Sequence, residues 1–343
     1  MKSTENIKID LLVFSVFVLI SYPLFYYAYK YCSPQVGQLT DYYSYYNLYD
    51  KWDFGKVESP FNIRLISSFF VFLFGKLNFY YDTQIAFNMG SQKIFFDAIF
   101  LNYIFVVLTC MAIFKTVYHF FSNYLFAFGI SVLYLLGFGT IFFELSPITD
   151  SCSVFLMAVI FYFYLRQSKW VLLFLSLAVF QREYILLAMG LLVFAEFILF
   201  PSDGKYRLIV FIASVLFFFL YYLLRKTYFY TPMFKNQLEV SSFFSFRFPE
   251  ITHYIRQTLL TQNLLFLYWA VLLYKVIKRI EYNKKYFFIS IVLLLQIVII
   301  GLLGRQGNNT GRIFYISMPI IIYYLAYELK PLAEKYLISE TNV

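Results

Sequence analysis

The strongly polar interruptions of this otherwise apolar chain are few: Asp41 to Arg64, Glu144 to Asp150, Gln181-Arg182-Glu183, and Arg305 to Arg312. Asp41 is followed by tyrosines at 42, 43, 45, 46 and 49. A carboxylate in that setting can take a proton from a hydroxyl, and the rings can stack on a sugar or isoprenoid face. The same segment also reads as a solvated loop with an interfacial aromatic belt. Asp50, Asp53 and Glu58 stand further along and are weaker candidates. Arg64 follows Pro60 and opens an apolar stretch. A guanidinium there suits a phosphate through paired hydrogen bonds, or it snorkels from a helix end.

Glu144-Leu-Ser-Pro-Ile-Thr-Asp150 joins two apolar runs. Thr149 or Asp150 can cap the second helix while Pro147 ends the first. Capping needs only one such residue, so the two acids carry more information. They can position an acceptor, bind a divalent ion or pair with an arginine, and Arg182-Glu183 is the expected partner. Charges deep within a hydrophobic region are functional by default, with a self-satisfied structural ion pair as the alternative. In Gly304-Arg-Gln-Gly-Asn-Asn-Thr-Gly-Arg312 the glycines let backbone approach a ligand. Arg305, Asn308, Asn309 and Arg312 there suit a phosphate. A flexible turn with charged ends, or a glycosylation sequon at Asn308, fits the same residues.

Something must bring these distant groups together, and composition says what. The chain of 343 residues is 61% hydrophobic and 14% charged, with mean hydropathy +0.68. That places it among multi-span membrane proteins and outside soluble domains. The expected fold is all-α: a polytopic transmembrane helix bundle of about ten to eleven spans forming a single integral-membrane domain over 1–343. Spans are expected near 9–30, 94–115, 121–143, 151–166, 169–181, 184–200, 207–225, 258–278, 285–304 and 312–329. The run 64–77 is too short to cross comfortably and reads as a re-entrant or interfacial helix within an outer loop at 31–93; a second outer loop covers 226–257.

The net charge of +9 fits lysines beside anionic headgroups and does not call for nucleic acid. Short-loop lysines put both termini in the cytoplasm, and every polar cluster then reaches the opposite face. The runs 169–181 and 184–200 read as a pair. The first holds about a dozen apolar residues, roughly 18 Å of helix, so the Arg182-Glu183 turn is expected to sit sunken in a protein-lined cavity. Asp97 and Glu196 are expected to face the bundle interior, and the cytoplasmic ends look plain. The 34 tyrosines and 45 phenylalanines suit interfacial belts and lipid-facing surfaces. Cys32, Cys110, Cys152, His119 and His253 have no metal spacing, although Cys32 and Cys152 could share the outer side. Nucleotide-binding glycine loops, HExxH and GxSxG are absent from the sequence.

With these residues in place, the chain resembles integral-membrane glycosyltransferases of the GT-C superfamily, most closely bacterial members near the dolichyl-phosphate-mannose type. The resemblance covers most of the chain through short motifs in order. Asp41 follows the first span, and Pro60-Phe61-x-x-Arg64 leads into a short apolar helix. Pro147-x-Thr149-Asp150 opens a span, and Arg182-Glu183 forms a tip between two short helices. Asn308 to Arg312 is followed by Pro319. The resemblance implies a plasma-membrane enzyme working on the extracytoplasmic face. It would move a sugar from a polyprenyl-phosphate donor to a glycan or lipid acceptor by inverting displacement, with Asp41 as base. Arg64, Glu144, Asp150, Arg182, Glu183, Arg305, Asn308, Asn309 and Arg312 would bind substrate. The superfamily often shows Asp-Asp or Asp-Glu in the first outer loop, whereas Tyr42 follows Asp41 here. No cofactor is therefore implied with certainty, and a divalent metal stays open. The rival readings are an O-antigen or capsule polysaccharide polymerase and, further off, a lipid-linked sugar flippase.

Overall fold

The computed structural model describes residues 2–31, 40–80, 91–200, 203–229, 261–303 and 315–337, and among them it is all helical, with no strand. Twelve α-helices run in the order α1 (Lys2–Tyr31), α2 (Thr40–Lys51), α3 (Leu65–Gly75), α4 (Gln92–Phe121), α5 (Tyr124–Leu135), α6 (Asp150–Leu165), α7 (Trp170–Ala178), α8 (Glu183–Leu199), α9 (Gly204–Thr227), α10 (Asn263–Ile277), α11 (Lys284–Leu303) and α12 (Met318–Leu337). Short turns of tighter helix precede α3 and α12, and a π-turn at Thr140–Glu144 follows α5.

Helix α4 is the central post: it packs against α1, α3, α5, α6 and α12, and its apolar window is mostly buried. Its outer half is joined to α1 through rings, with Phe25 edge-on to Phe96 and Phe100 at 6.0 and 5.7 Å. The Tyr103 hydroxyl donates to the Val18 carbonyl at 2.6 Å. Helix α12 is a second internal post, with Ile320, Ile321, Ile322, Leu325 and Ala326 fully buried.

Three helices, Ile7–Lys30, Gln92–Phe121 and Gly204–Thr227, are long and apolar enough to cross a membrane. Helix α9 shows why such a bundle needs an apolar solvent. Leu208, Ile212, Leu216, Phe219 and Leu223 form an exposed stripe at helical spacing, while Val210, Ser214 and Tyr221 face inward. In water such a stripe would be an aggregation surface; against lipid it costs nothing.

The helices over 65–75, 170–178 and 183–199 match expected elements closely. The first of them, α3, does not cross the bundle. Its first residues donate to the Phe180 carbonyl, Leu65 at 2.8 Å and Ile66 at 3.3 Å. At its last residue the Gly75 carbonyl accepts from Lys93 at 2.6 Å. Both contacts lie at the same end of the bundle, so α3 lies across that end as the short apolar run implied. The α2 tyrosines depart from expectation. Tyr42, Tyr45 and Tyr49 fall with Leu48 on the buried face of an amphipathic helix. They pack on Phe95, Phe61 and one another, which leaves Tyr43 and Tyr46, both half-buried, as the rings still reachable by a ligand. Cys152 is a buried free thiol, and Cys32 lies outside the described residues.

Tyr315, at the start of the last post, lies over the backbone of the turn after α5. Its hydroxyl pairs with Thr140 at 2.8 Å, and its ring covers Gly137 and Gly139, where an added Cβ would overlap it. A Gly139→Ala protein should therefore be destabilised by about 1–3 kcal/mol, the usual cost of overpacking. A lowered thermal unfolding midpoint in detergent would register this, and an unchanged midpoint would refute the close approach.

Candidate functional site

The N-termini of α3, α6 and α8 and the C-terminus of α9 meet at one end of the bundle, with α2 laid against them. The tip between α7 and α8 is the deepest part. Helix α7 has nine residues, about 14 Å of rise, so the turn that follows it cannot reach the height of its neighbours. Gln181 and Arg182 are at most 1% exposed, and Glu183 is also buried. The tip is thus lined by protein, as its length required.

Gln181 holds this tip in place with both ends of its amide. Its Oε1 accepts from the Ser67 amide at 3.1 Å, and its Nε2 donates to the Thr149 carbonyl at 2.8 Å and to Ser153 Oγ at 3.1 Å. Arg182, extended at the start of α8, makes a buried ion pair with Asp150. Asp150 and Glu183 occupy the first turns of α6 and α8, where the helix dipole favours negative charge. Thr149 stands at the cap position of α6 without capping it. Its hydroxyl pairs instead with that of Tyr45 at 3.2 Å, so the simple capping account fails for this residue.

Arg64 does not snorkel. It is 6% exposed, and its Nη1 donates to the Tyr45 hydroxyl at 2.5 Å. Its guanidinium lies 5.4 Å from the Phe61 ring centre, with Glu183 and Tyr221 as further electrostatic neighbours. The chain Arg64–Tyr45–Thr149 ties the α3 entrance, α2 and α6 together within hydrogen-bond reach.

The structure therefore brings Arg64, Asp150, Arg182 and Glu183 into one cluster, and it separates Glu144 from them. Glu144 is bonded to the Tyr134 hydroxyl inside the bundle, with Cys110 and Tyr315 as neighbours. Burial pushes its carboxyl up to about 8, against the Tyr134 hydrogen bond, which holds it down. The expected pairing of the acids with Arg182 thus holds for Asp150 and not for Glu144. The first turn of α2 contains Asp41, whose side chain lies outside the described residues, as do Arg305, Asn308, Asn309 and Arg312. Among the weaker acids, Asp53 is occupied locally by the Gly55 amide at 3.1 Å and by Lys56 at 3.5 Å. Among the described residues no three metal-ligating side chains gather.

Sequence reasoning passed over several contributors. Asn102, within α4, donates to the Ile148 carbonyl at 2.8 Å and accepts from Ser151 at 2.6 Å; a lone asparagine in a long apolar run was the available signal. Tyr221 and Arg225 on α9 join the cluster as well. Arg225 Nε donates to Ser59 Oγ at 3.1 Å, just ahead of Arg64. One-sided counting of loop charges hid them, because Arg225 reads as an ordinary basic helix end.

The opposite end of the bundle is not plain, contrary to expectation. Glu196 accepts from the Tyr164 and Tyr324 hydroxyls, the latter at 2.5 Å, and Arg207 approaches it at 3.6 Å. Lys275 and Glu328 form a second buried pair. Asp97, also buried, is paired with Lys93 at 2.9 Å. Polar groups thus occur at both ends, but those at the second end are matched to one another.

Removing one partner of the Asp150–Arg182 pair leaves a buried charge, which costs about 3–5 kcal/mol, whereas apolar replacement of both is often nearly neutral. Arg182→Gln should lower the unfolding midpoint in detergent, and the double change Asp150→Leu with Arg182→Met should recover most of the loss. A single variant as stable as the native protein would remove the structural role of this pair. Comparison with protein families, with curated proteins and with solved structures finds no match to this chain.

Proposed function

We propose that this chain is an integral-membrane glycosyltransferase of the GT-C type, with ten of its helices crossing the bilayer and α2 and α3 lying at the extracytoplasmic end. It moves a sugar from a polyprenyl-phosphate carrier to a glycan or lipid acceptor. The acceptor hydroxyl attacks the anomeric carbon as the bond from that carbon to the phosphate oxygen breaks, inverting the centre. Asp41 takes the hydroxyl proton, and the polyprenyl phosphate leaves with the electron pair. General-base assistance of this kind is worth about 10²–10⁴-fold, and cationic stabilisation of the leaving phosphate adds a comparable or larger factor.

The observation that carries this reading is the convergence of Arg64, Asp150, Arg182 and Glu183 beside the helix that begins at Asp41, from segments far apart in sequence. A scaffold has no need to collect buried charge from four separate segments at one end. A conduit for lipid-linked sugar would need polar groups through the middle. Between Glu183 and Glu196 the inward face of α8 is instead Leu186, Met189 and Val193, all buried and apolar.

The test is transfer of labelled sugar from a polyprenyl-phosphate hexose by purified protein in lipid vesicles. Asp41→Asn should lose at least about a hundredfold in turnover while keeping its yield and unfolding midpoint. Normal turnover in that variant would sink the assignment of the base. Products extended by a single sugar mark a transferase; long ladders would mark a polymerase.

A further inference from the structure

Charge at the active end is unevenly spoken for. Arg182 is matched by Asp150, and Arg64 has Glu183 as its nearby anion. Neither guanidinium has a whole positive charge left for a phosphate. Arg225 differs: it is half-buried, held by Ser59, and makes no ion pair with any described residue. It stands one helical turn beyond Tyr221 on the same face of α9. The Tyr221 hydroxyl lies in the fields of Glu183, Arg64 and Arg225, which puts all four groups in one neighbourhood.

Three polar atoms there are buried without a hydrogen-bond partner: Arg64 Nε, Glu183 Oε2 and the Tyr221 hydroxyl. A buried polar group left unmatched costs about 1–3 kcal/mol, and three in one place mark a position where a ligand completes the structure. The set contains a cationic donor, an anionic acceptor and a hydroxyl able to do either. A phosphate dianion would be repelled by Glu183. A hydroxyl of a sugar both donates and accepts, so it satisfies the carboxylate and the guanidinium at once.

We propose that Arg64, Glu183, Tyr221 and Arg225 form a subsite for a phosphate-linked sugar, in which Arg225 takes the phosphate and the other three take sugar hydroxyls. This rests on the glycosyl-transfer reading and reassigns Arg64 within it, from neutralising the leaving phosphate to holding the sugar. It also separates two recognition tasks on one helix face, which makes them separately removable.

The experiment measures binding of farnesyl phosphate, and of its mannosyl and glucosyl phosphodiesters, to the purified full-length protein in detergent. Unfolding midpoints taken without ligand verify that each variant is folded. Arg225→Gln should weaken sugar-free and sugar-bearing carriers alike by about tenfold, the loss of one charge-assisted bond, and Arg225→Lys should restore part of it. Tyr221→Phe should weaken only a sugar-bearing carrier, by about fivefold. Phosphatidic acid at equal concentration should not displace the carrier; if it does, the site is a general phospholipid site and the proposal falls. Binding by the native protein that neither variant alters overturns the subsite while leaving the glycosyl-transfer reading intact. Failure of the native protein to bind any of the three carriers overturns both.

Discussion

The Asp150–Arg182 ion pair is the constraint around which this end of the molecule is built. Two opposite charges at most 3% exposed have left water at a cost of several kcal/mol each. Only close mutual contact and supporting dipoles offset that cost. The pair can therefore exist in one arrangement, with the first turn of α6 facing the tip between α7 and α8. Gln181 fixes the same tip from its other side through Ser67, Thr149 and Ser153. The shortness of α7 then follows from the pair: a longer helix would carry Arg182 past the level of Asp150.

The rest of the cluster inherits its position from that lock. With the tip fixed, the Phe180 carbonyl is placed to accept from the first amides of α3. This sets where Arg64 enters, and through Tyr45 it sets where α2 lies. The order of dependence runs from the ion pair outward to the helix that starts at Asp41. A reaction needing a base and a phosphate held in register gains from this arrangement, because misplacement of reacting groups by about 1 Å can cost a hundredfold in rate. The buried tyrosines of α2 belong to the same logic. They are the apolar stripe that holds a short polar helix against the bundle, which is why they are turned away from any sugar.

How much of this was legible in the sequence differs by element, and the reason is physical in each case. Helices α4, α6, α8 and α9 were readable because each is a long apolar run bounded by charged or turn residues. The sunken tip was readable because helix length is fixed by residue count. The pairing of Arg182 with Asp150 was readable because a deep charge needs a partner, and the candidates were few. Glu144 was misplaced because adjacency in a loop of seven residues says nothing about which way each side chain points. It faces Tyr134 within the bundle instead of the tip. Arg225 and Tyr221 were invisible for the opposite reason. They sit on a helix whose outward stripe dominates its pattern, and nothing local distinguishes a basic residue facing a site from one facing headgroups.

The two polar ends also differ in kind, and that difference bears on what the bundle can do. At the second end, Glu196 has two tyrosine hydroxyls and an arginine, and Lys275 has Glu328. Such matched sets stitch α6, α8, α9, α10 and α12 together and leave little capacity for a ligand. At the first end, matched groups stand beside Arg64 Nε, Glu183 Oε2 and the Tyr221 hydroxyl, which are not matched. Thirteen positions of α8, about 20 Å of rise, separate Glu183 from Glu196, and the inward side chains between them are apolar. A bundle stitched shut at one end, apolar in its middle and polar but incomplete at the other is organised to bind at a single surface. That is the arrangement an interfacial group-transfer enzyme needs, and it is the reverse of what alternating access across the membrane would require.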